Sequence, residues 1–417
     1  MLASPIMSLP EGLMECQSLD EFYDLCAPLG LYSRGRRFLH LEMDIVNRCN
    51  IRCIMCFHSF ESTRRARTVH LSPDDFAFVA SRMLPHAYHL SLSLGNEPLM
   101  SPHFVEILRL ASGYKVPNVN FFTNGLLLND NKIDAIIQYG VTQLCISIDG
   151  ATAATYNAIR RDGDFDHLIH NVKRFIARRD AMQSATPRVR FDFVLMKRNI
   201  HELPDLVKLA AQLGVQQLAF RHLVSFEGLN MEQESLQLER ALSDKCLRAA
   251  LKRAAKLGLE VQTRPEFFNA KKSRLQLLKA PLLHASRLLK RSRGTAGSDA
   301  REVGSRTPFV PTPYCPFPFF HISMGPGGHI LPCPHAHGEA PYGQVSGETP
   351  IDQIWLNSKF MELRGRILQH DPPEMCRRCP YLADKYPNIA ELFATRKQPC
   401  PPVHQIRTDP LPKVAAD

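Results

Sequence analysis

Three observations predict an α/β protein built as a partial (β/α)6 TIM-like barrel with a small C-terminal cysteine-rich domain. Six apolar, strand-like runs alternate with helix-like stretches between Phe38 and about Val261, three cysteines follow the first run, and four more are spread over the C-terminal region. The runs are Phe38 to Val46, Tyr88 to Leu94, Asn118 to Thr123, Gln143 to Asp149, Val189 to Met196 and Val215 to His222. Strands that alternate with helices favour a parallel sheet with the helices outside it. Six units are too few to close an eight-fold barrel, so an open, three-quarter barrel is expected.

Residues 1–34 form an N-terminal extension with one short helix, opened by Ser18-Leu-Asp-Glu21 in capping-box spacing. The barrel takes 35–262. Within it, Ser72-Pro73-Asp-Asp75 and Ser101-Pro102 mark helix starts, a hydroxyl N-cap preceding a proline at the first helical position. From 263 to 311 the alternation stops. Between Arg264 and Arg306 stand eleven Lys/Arg against three Asp/Glu, so eight of the ten net positive charges lie in this one segment. Its middle, Leu275 to Arg291, mixes apolar and basic residues in a helical rhythm broken by Pro281. That composition suits a weak contact with an anionic membrane surface or a solvated linker, and the linker is preferred. Because the basicity is local, the net charge argues for no nucleic-acid partner. Residues 312–395 carry the second cysteine group. The proline-rich, polar stretch 396–417 is expected to be disordered.

A chain of 417 residues suits one large domain and a smaller one. Neither a signal peptide nor an apolar run of membrane-spanning length is visible, which places the protein in the cytoplasm. In that reducing compartment twelve cysteines, five of them in paired or tripled spacings, fit metal ligation better than disulfides.

Cys49-Asn-Ile-Arg-Cys53-Ile-Met-Cys56 sets three thiols close together at the end of the first strand. A structural zinc site or closed iron-sulfur cluster takes four protein ligands, so a trio leaves one metal position for a group that is not protein. Half of a zinc knuckle, or buried thiols on a turn, would also fit the triplet alone. Further along, Gly95-Asn96-Glu97-Pro98, Thr123-Asn124-Gly125 and Ser147-Ile-Asp149-Gly150 stand at the ends of the second, third and fourth strands. With a period of two, Cys145, Ser147 and Asp149 face one side, and Leu144, Ile146 and Ile148 face the helices. The second cysteine group is Cys315, Cys333 and the pair Cys376-Arg-Arg-Cys379, with Gly328 just before Cys333 and a helical stretch from Ile354-Trp355 to about Gln369 between. Four thiolates from loops suit an iron-sulfur cluster or tetrahedral Zn²⁺.

The triplet followed by these strand-end motifs, in this order, resembles the radical S-adenosylmethionine (radical SAM) superfamily from about Phe38 to Pro380, the basic segment apart. The resemblance implies a 4Fe-4S cluster on Cys49, Cys53 and Cys56 whose remaining iron is chelated by the methionyl amine and carboxylate of S-adenosylmethionine. Reductive cleavage would give a 5′-deoxyadenosyl radical that abstracts hydrogen from an unactivated C–H. Gly95-Asn96-Glu97-Pro98 resembles the GGEP motif with Asn for the second Gly, which implies that the local backbone and Glu97 meet the methionyl amine. Ser147 and Arg160, with Arg161 competing for the second role, are the further cofactor contacts it implies. Met55, standing where relatives often have an aromatic, would pack on the adenine.

The C-terminal cysteines resemble the SPASM/twitch extension, closest to the shorter twitch form, which implies one auxiliary 4Fe-4S cluster on Cys315, Cys333, Cys376 and Cys379. Also implied are a flavodoxin- or ferredoxin-type electron donor and a small-molecule substrate, a sugar, cyclitol or similar metabolite that is oxidised or epimerised. The cysteine layout looks most like that of a cyclitol dehydrogenase of the superfamily. The lack of a leader-recognition module at the N-terminal end counts against a peptide substrate. A peptide-modifying maturase and a non-catalytic iron-sulfur redox or scaffold protein are the alternatives. Cysteines 16, 26, 145, 246 and 400 lack ligand spacing and read as small apolar fillers. Cys145, if inside the barrel, could instead return hydrogen to a substrate radical. No general base can be named from the sequence.

Overall fold

The computed structural model describes residues 39–269 apart from 227 and 266, residue 37, and most of residues 12–26 and 315–379. Ser18, nearly all of the basic segment and the 396–417 tail lie outside the described residues. The N-terminal helix spans Leu19–Cys26.

All six expected strands are present: β1 Leu39–Met43, β2 Ala87–Ser91, β3 Asn118–Thr123, β4 Gln143–Ser147, β5 Arg188–Leu195 and β6 Gln217–His222. The sheet is wider than the six. A seventh strand, β7 Glu260–Thr263, pairs with β6, and three strands from the C-terminal region, β8 His321–Met324, β9 His329–Leu331 and β10 Gly343–Gln344, extend the opposite edge. The order is β10-β9-β8-β1-β2-β3-β4-β5-β6-β7. Pairing is parallel from β8 across to β7 and antiparallel at β8–β9 and β9–β10. The cysteine-rich region is therefore joined to the barrel by main-chain pairing, with Leu41 opposite Ile322.

Helices cover one face because alternate strand residues are apolar. Leu39, Leu41 and Met43 of β1, and Leu144 and Ile146 of β4, share one core with Phe76, Val79, Phe104, Ile136 and Phe175 from the helices. Local signals set several helix starts. Ser72 Oγ accepts the Asp75 N–H at 3.1 Å ahead of Pro73, and Asn129, Thr152 and Asp164 cap three later helices. At Ser101-Pro102 the start is later than expected. Ser101 Oγ accepts the His103 N–H, and the helix runs Phe104–Ser112.

The other face is polar and concave. In a flat sheet β1 and β6, five strand spacings apart, would lie about 24 Å from each other. Yet the Arg221 guanidinium on β6 acts on the Glu42 carboxyl of β1 and stands 5.8 Å from the Phe122 ring on β3. Gln143 of β4 donates to Gln262 of β7 at 2.9 Å. The sheet curls around this lumen.

Gly328 sits between β8 and β9 with φ +81°, and a Cβ there would meet the Val345 carbonyl at 2.5 Å, so this turn requires glycine. Behind it, Arg364 is fully buried: its guanidinium carbon lies 4.3 Å from the Trp355 ring and 4.5 Å from that of Phe22, and its Nε donates to the Pro318 carbonyl. Together with the edge-on contact of the Phe22 and Trp355 rings, it fastens the N-terminal helix to the C-terminal region. No helix among the described residues is long and apolar enough to cross a membrane.

Candidate active site at the carboxyl ends of the strands

The three clustered thiols, Gly95-Asn96-Glu97-Pro98, Thr123-Asn124-Gly125 and Asp149 all lie beyond the carboxyl ends of β1 to β4, where ligands bind in parallel sheets of this kind. The cysteine loop is held from both sides. Arg52–Cys53 pairs antiparallel with Arg160–Arg161, the Ile54 N–H donates to the Ile159 carbonyl, and Ser59 Oγ donates to the Cys53 carbonyl. Ile51, Ile54 and Met55 form a second small apolar cluster with Ile159, Met196 and Met231, so Met55 is buried among aliphatic and thioether side chains.

Two donors are aimed at the sulfurs. Arg160 Nη1 is 3.6 Å from Cys53 Sγ, and Asn124 Nδ2 is 3.8 Å from Cys49 Sγ. Burial pushes the Cys49 and Cys53 thiols up to about 12, so a metal must displace their protons on binding. A cationic and an amide donor directed at these sulfurs suit metal-bound thiolates, and the cysteines interact electrostatically with one another. Among the described residues no three His, Cys, Asp or Glu side chains converge as a single metal ion requires. A cubane does not need such convergence, because it takes each thiolate at a different iron.

Asp44, which the sequence reading passed over, organises the Gly95 loop. Its Oδ1 accepts the N–H groups of Leu94, Gly95 and Asn96, and its Oδ2 accepts from Asn96 Nδ2 at 2.6 Å. The Asn in the motif's second position thus supplies an extra anchor. Gly95 is pressed against Phe57, whose ring a Cβ would meet at 3.1 Å. Glu97 is buried, and its own N–H donates to the Arg48 carbonyl at 2.8 Å. Its Oε1 accepts from Thr123 Oγ1 and the Leu99 N–H, and its Oε2 accepts the Asn124 N–H. Burial pushes this carboxyl up to about 7 against those hydrogen bonds.

Arg160 turns inward, with its Nη2 2.7 Å from Asp149 Oδ2, whereas Arg161 is exposed. Ser147 is half-buried in register with Asp192, and Cys145 is fully buried with its Sγ 3.5 Å from Gln143 Oε1. A cavity of about 140 Å³ opens beside Cys49, lined by Arg48, Asn50, Arg52, His58 and Arg64.

The second cysteine group comes together from three places. Cys315 precedes the turn of helix Phe317–Phe320, Cys333 follows β9, Cys376 lies in helix Glu374–Arg377, and the Cys379 N–H donates to the Cys376 carbonyl at 3.1 Å. Burial pushes the Cys315 thiol up to about 12, with the charges of Cys333, Cys376 and Cys379 adding to the effect. The four thiols are therefore within electrostatic reach of one another.

The comparisons with known proteins agree with this geometry. Residues 43–210 match the Radical SAM superfamily, and residues 315–380 match the SPASM family, described as an iron-sulfur cluster-binding domain. A probable GTP 3′,8-cyclase of Methanocaldococcus jannaschii is 25% identical over 180 residues, covering 43% of this chain and 57% of the relative. The mycofactocin maturase MftC of Mycobacterium tuberculosis is 26% identical over 174 residues, 42% of each chain. The chain spans only about half the length of these curated relatives. Among solved structures, Streptococcus suis SuiB bound to S-adenosylmethionine superposes with TM-score 0.57 at 15% identity over 83% of this chain and 72% of that one. The anSMEcpe protein with bound AdoMet gives 0.54 at 18% over 82% and 87%. The two family matches give S-adenosylmethionine and two 4Fe-4S clusters as the cofactors. A barrel whose strand ends gather this cysteine triplet, with a cysteine-rich extension paired onto its first strand, belongs to an enzyme of the radical SAM superfamily with a C-terminal SPASM iron-sulfur domain.

Proposed function

We propose that this enzyme oxidises or epimerises a small polar metabolite, a sugar, cyclitol or similar compound, by hydrogen abstraction. The observation that carries the reading is the lumen. Its wall presents Glu42, Gln143, Arg190, Asp192, Arg221 and Gln262, a hydrogen-bonding surface suited to a hydroxyl-rich ligand. Cys49, Cys53 and Cys56 hold the SAM-binding cluster, and Cys315, Cys333, Cys376 and Cys379 hold the auxiliary one. Bound together, these groups supply an adenosyl radical and a one-electron acceptor.

The protein's own residues position them. Asp44 and Glu97 shape the Gly95–Asn96 backbone toward the methionyl amine. Arg160, charged and fixed by Asp149, orients the Cys53 thiolate. Met55 and Ser147 complete the cofactor's surroundings. The exposed Arg64, Arg65 and Arg67, beside the cysteine loop, suit an acidic flavodoxin- or ferredoxin-type donor.

A second reading, modification of a peptide, is favoured by the similarity to MftC, named as a maturase. Anaerobically reconstituted enzyme given S-adenosylmethionine, a reductant and separate pools of sugars or cyclitols and of peptides tests the two. The proposal expects a two-mass-unit loss, or solvent deuterium uptake, in a sugar or cyclitol. The same change confined to peptides contradicts it.

A further inference from the structure

The lumen contains a carboxylate that the cofactor site does not use. Along β1 the residues alternate: Leu39, Leu41 and Met43 enter the helix-side core, while His40, Glu42 and, just past the strand, Asp44 face the lumen. The Asp44 carboxylate is fully engaged by the Gly95 loop. Two residues earlier on the same face, about 7 Å along the strand, Glu42 accepts no hydrogen bond among the described residues. Its side chain keeps 26% of its surface open although β1 has strands on both sides, so the opening is into the lumen.

The groups around Glu42 can be named from each neighbouring element. Ser91 on β2 and Ser323 on β8 are its register partners, and His321 Nε2 is 3.9 Å from its Oε2. Asp44 stands above it, and Arg221 faces it from β6. Arg221 also pairs with Asp192, which binds Arg190, and both guanidiniums lie over the Phe122 ring. Asn120, in register with Ser91, is buried with its Oδ1 unpaired. Burial and the Asp44 charge push the Glu42 carboxyl up to about 7, and Arg221 opposes them. A carboxylate that accepts no hydrogen bond among the described residues and opens to a lumen beneath the cofactor motif, with a proton affinity matched to neutral pH, has the properties of a general base.

We propose that Glu42 is the proton acceptor of the reaction, serving a hydroxyl-bearing small substrate seated in the lumen between Arg221 and Asn120. This rests on the oxidation reading above. The substrate carbon loses a hydrogen atom to the adenosyl radical, and its hydroxyl proton passes to the Glu42 carboxylate. Held by Cys315, Cys333, Cys376 and Cys379, an auxiliary iron-sulfur cluster would supply the acceptor for the one electron left on the carbon. The C–H and O–H bonds break, C=O forms, and the one electron used to cleave S-adenosylmethionine is matched by the one returned.

Two measurements test it. In reconstituted full-length protein without substrate, an infrared titration of ¹³C-glutamate-labelled samples should show a carboxyl titrating near pH 7 that is lost in Glu42→Gln and kept in Asn120→Ala. Absence of that difference overturns the proposal. With a substrate from the sugar and cyclitol panel, product formed per 5′-deoxyadenosine should fall at least ten-fold in Glu42→Gln. The rise of product rate through about pH 7 should shift in Glu42→Asp, which restores part of the yield. An unchanged yield ratio and pH profile in Glu42→Gln would also overturn it. Should no panel member react with the wild-type enzyme, the oxidation reading fails, and the proton-acceptor role falls with it whatever the titration shows.

Discussion

Glu97 and Asn124 are joined across two strand ends: Glu97 Oε2 accepts the Asn124 N–H at 2.7 Å, while Asn124 Nδ2 donates to Asn50 at 2.8 Å, beside Cys49. One buried carboxylate thereby ties the Gly95 loop to the turn that reaches the cysteine loop. Glu97→Ala leaves the donors of Leu99, Thr123 and Asn124 without their acceptor, at about 1–3 kcal/mol each. Thermal melts should show marked destabilisation, and equilibrium binding should show S-adenosylmethionine affinity reduced ten-fold or more. Wild-type values for both would contradict the arrangement.

Asn96→Gly restores glycine at the motif's second position and removes the side-chain bond to Asp44. The three backbone N–H bonds to Asp44 Oδ1 remain. Stability should fall by about 1 kcal/mol in denaturant titration. S-adenosylmethionine affinity should change by less than about three-fold, because the backbone presented to the cofactor is unaltered.

How much of this was legible in the sequence varies with how local the signal is. The six strands and the cysteine loop were readable because apolar runs and close spacing are local features. β7 was not, since Glu260-Val-Gln-Thr263 is a half-exposed edge with a single large apolar residue. β8 was missed because a parallel partner 281 residues away leaves no trace in His321-Ile-Ser-Met324 itself. Asp44 and Glu42 did carry a signal: His40, Glu42 and Asp44 alternate with Leu39, Leu41 and Met43, and that polar stripe on a central strand marks the lumen. Arg364 could not have been found, because Phe22 comes from a distant segment and nothing in the spacing to Trp355, nine residues earlier, marks a buried guanidinium.

Glu42 also makes stability depend on pH in a stated direction. Its carboxyl titrates near 7 in the folded chain against 4.5 in the unfolded one. The folded state therefore holds the proton more tightly, and stability falls as pH rises from the lower value through the higher. Glu42→Gln lacks this loss. Between acid and neutral pH the variant should gain on wild type by an amount on the order of 3 kcal/mol, read by denaturant unfolding at a series of pH values. A constant difference across that range would contradict the shift.

The second cysteine group separates two halves of the chemistry. Cys376 and Cys379 lie on the C-terminal extension, far along the chain from the triplet. Replacing both by Ser should empty the auxiliary site, lower iron by about four per chain and abolish product, while 5′-deoxyadenosine still forms. Zinc in anaerobically purified wild-type protein, or full product formation by the variant, would exclude an electron-accepting cluster there.

The most direct test of the account is 5′-deoxyadenosine formation by the reduced, reconstituted protein with Cys49, Cys53 and Cys56 all replaced by Ala. The wild type should cleave S-adenosylmethionine, whereas the triple variant should retain about four irons in the auxiliary site and form no 5′-deoxyadenosine. Cleavage by the triple variant at the wild-type rate would contradict the assignment of the radical site to these three cysteines.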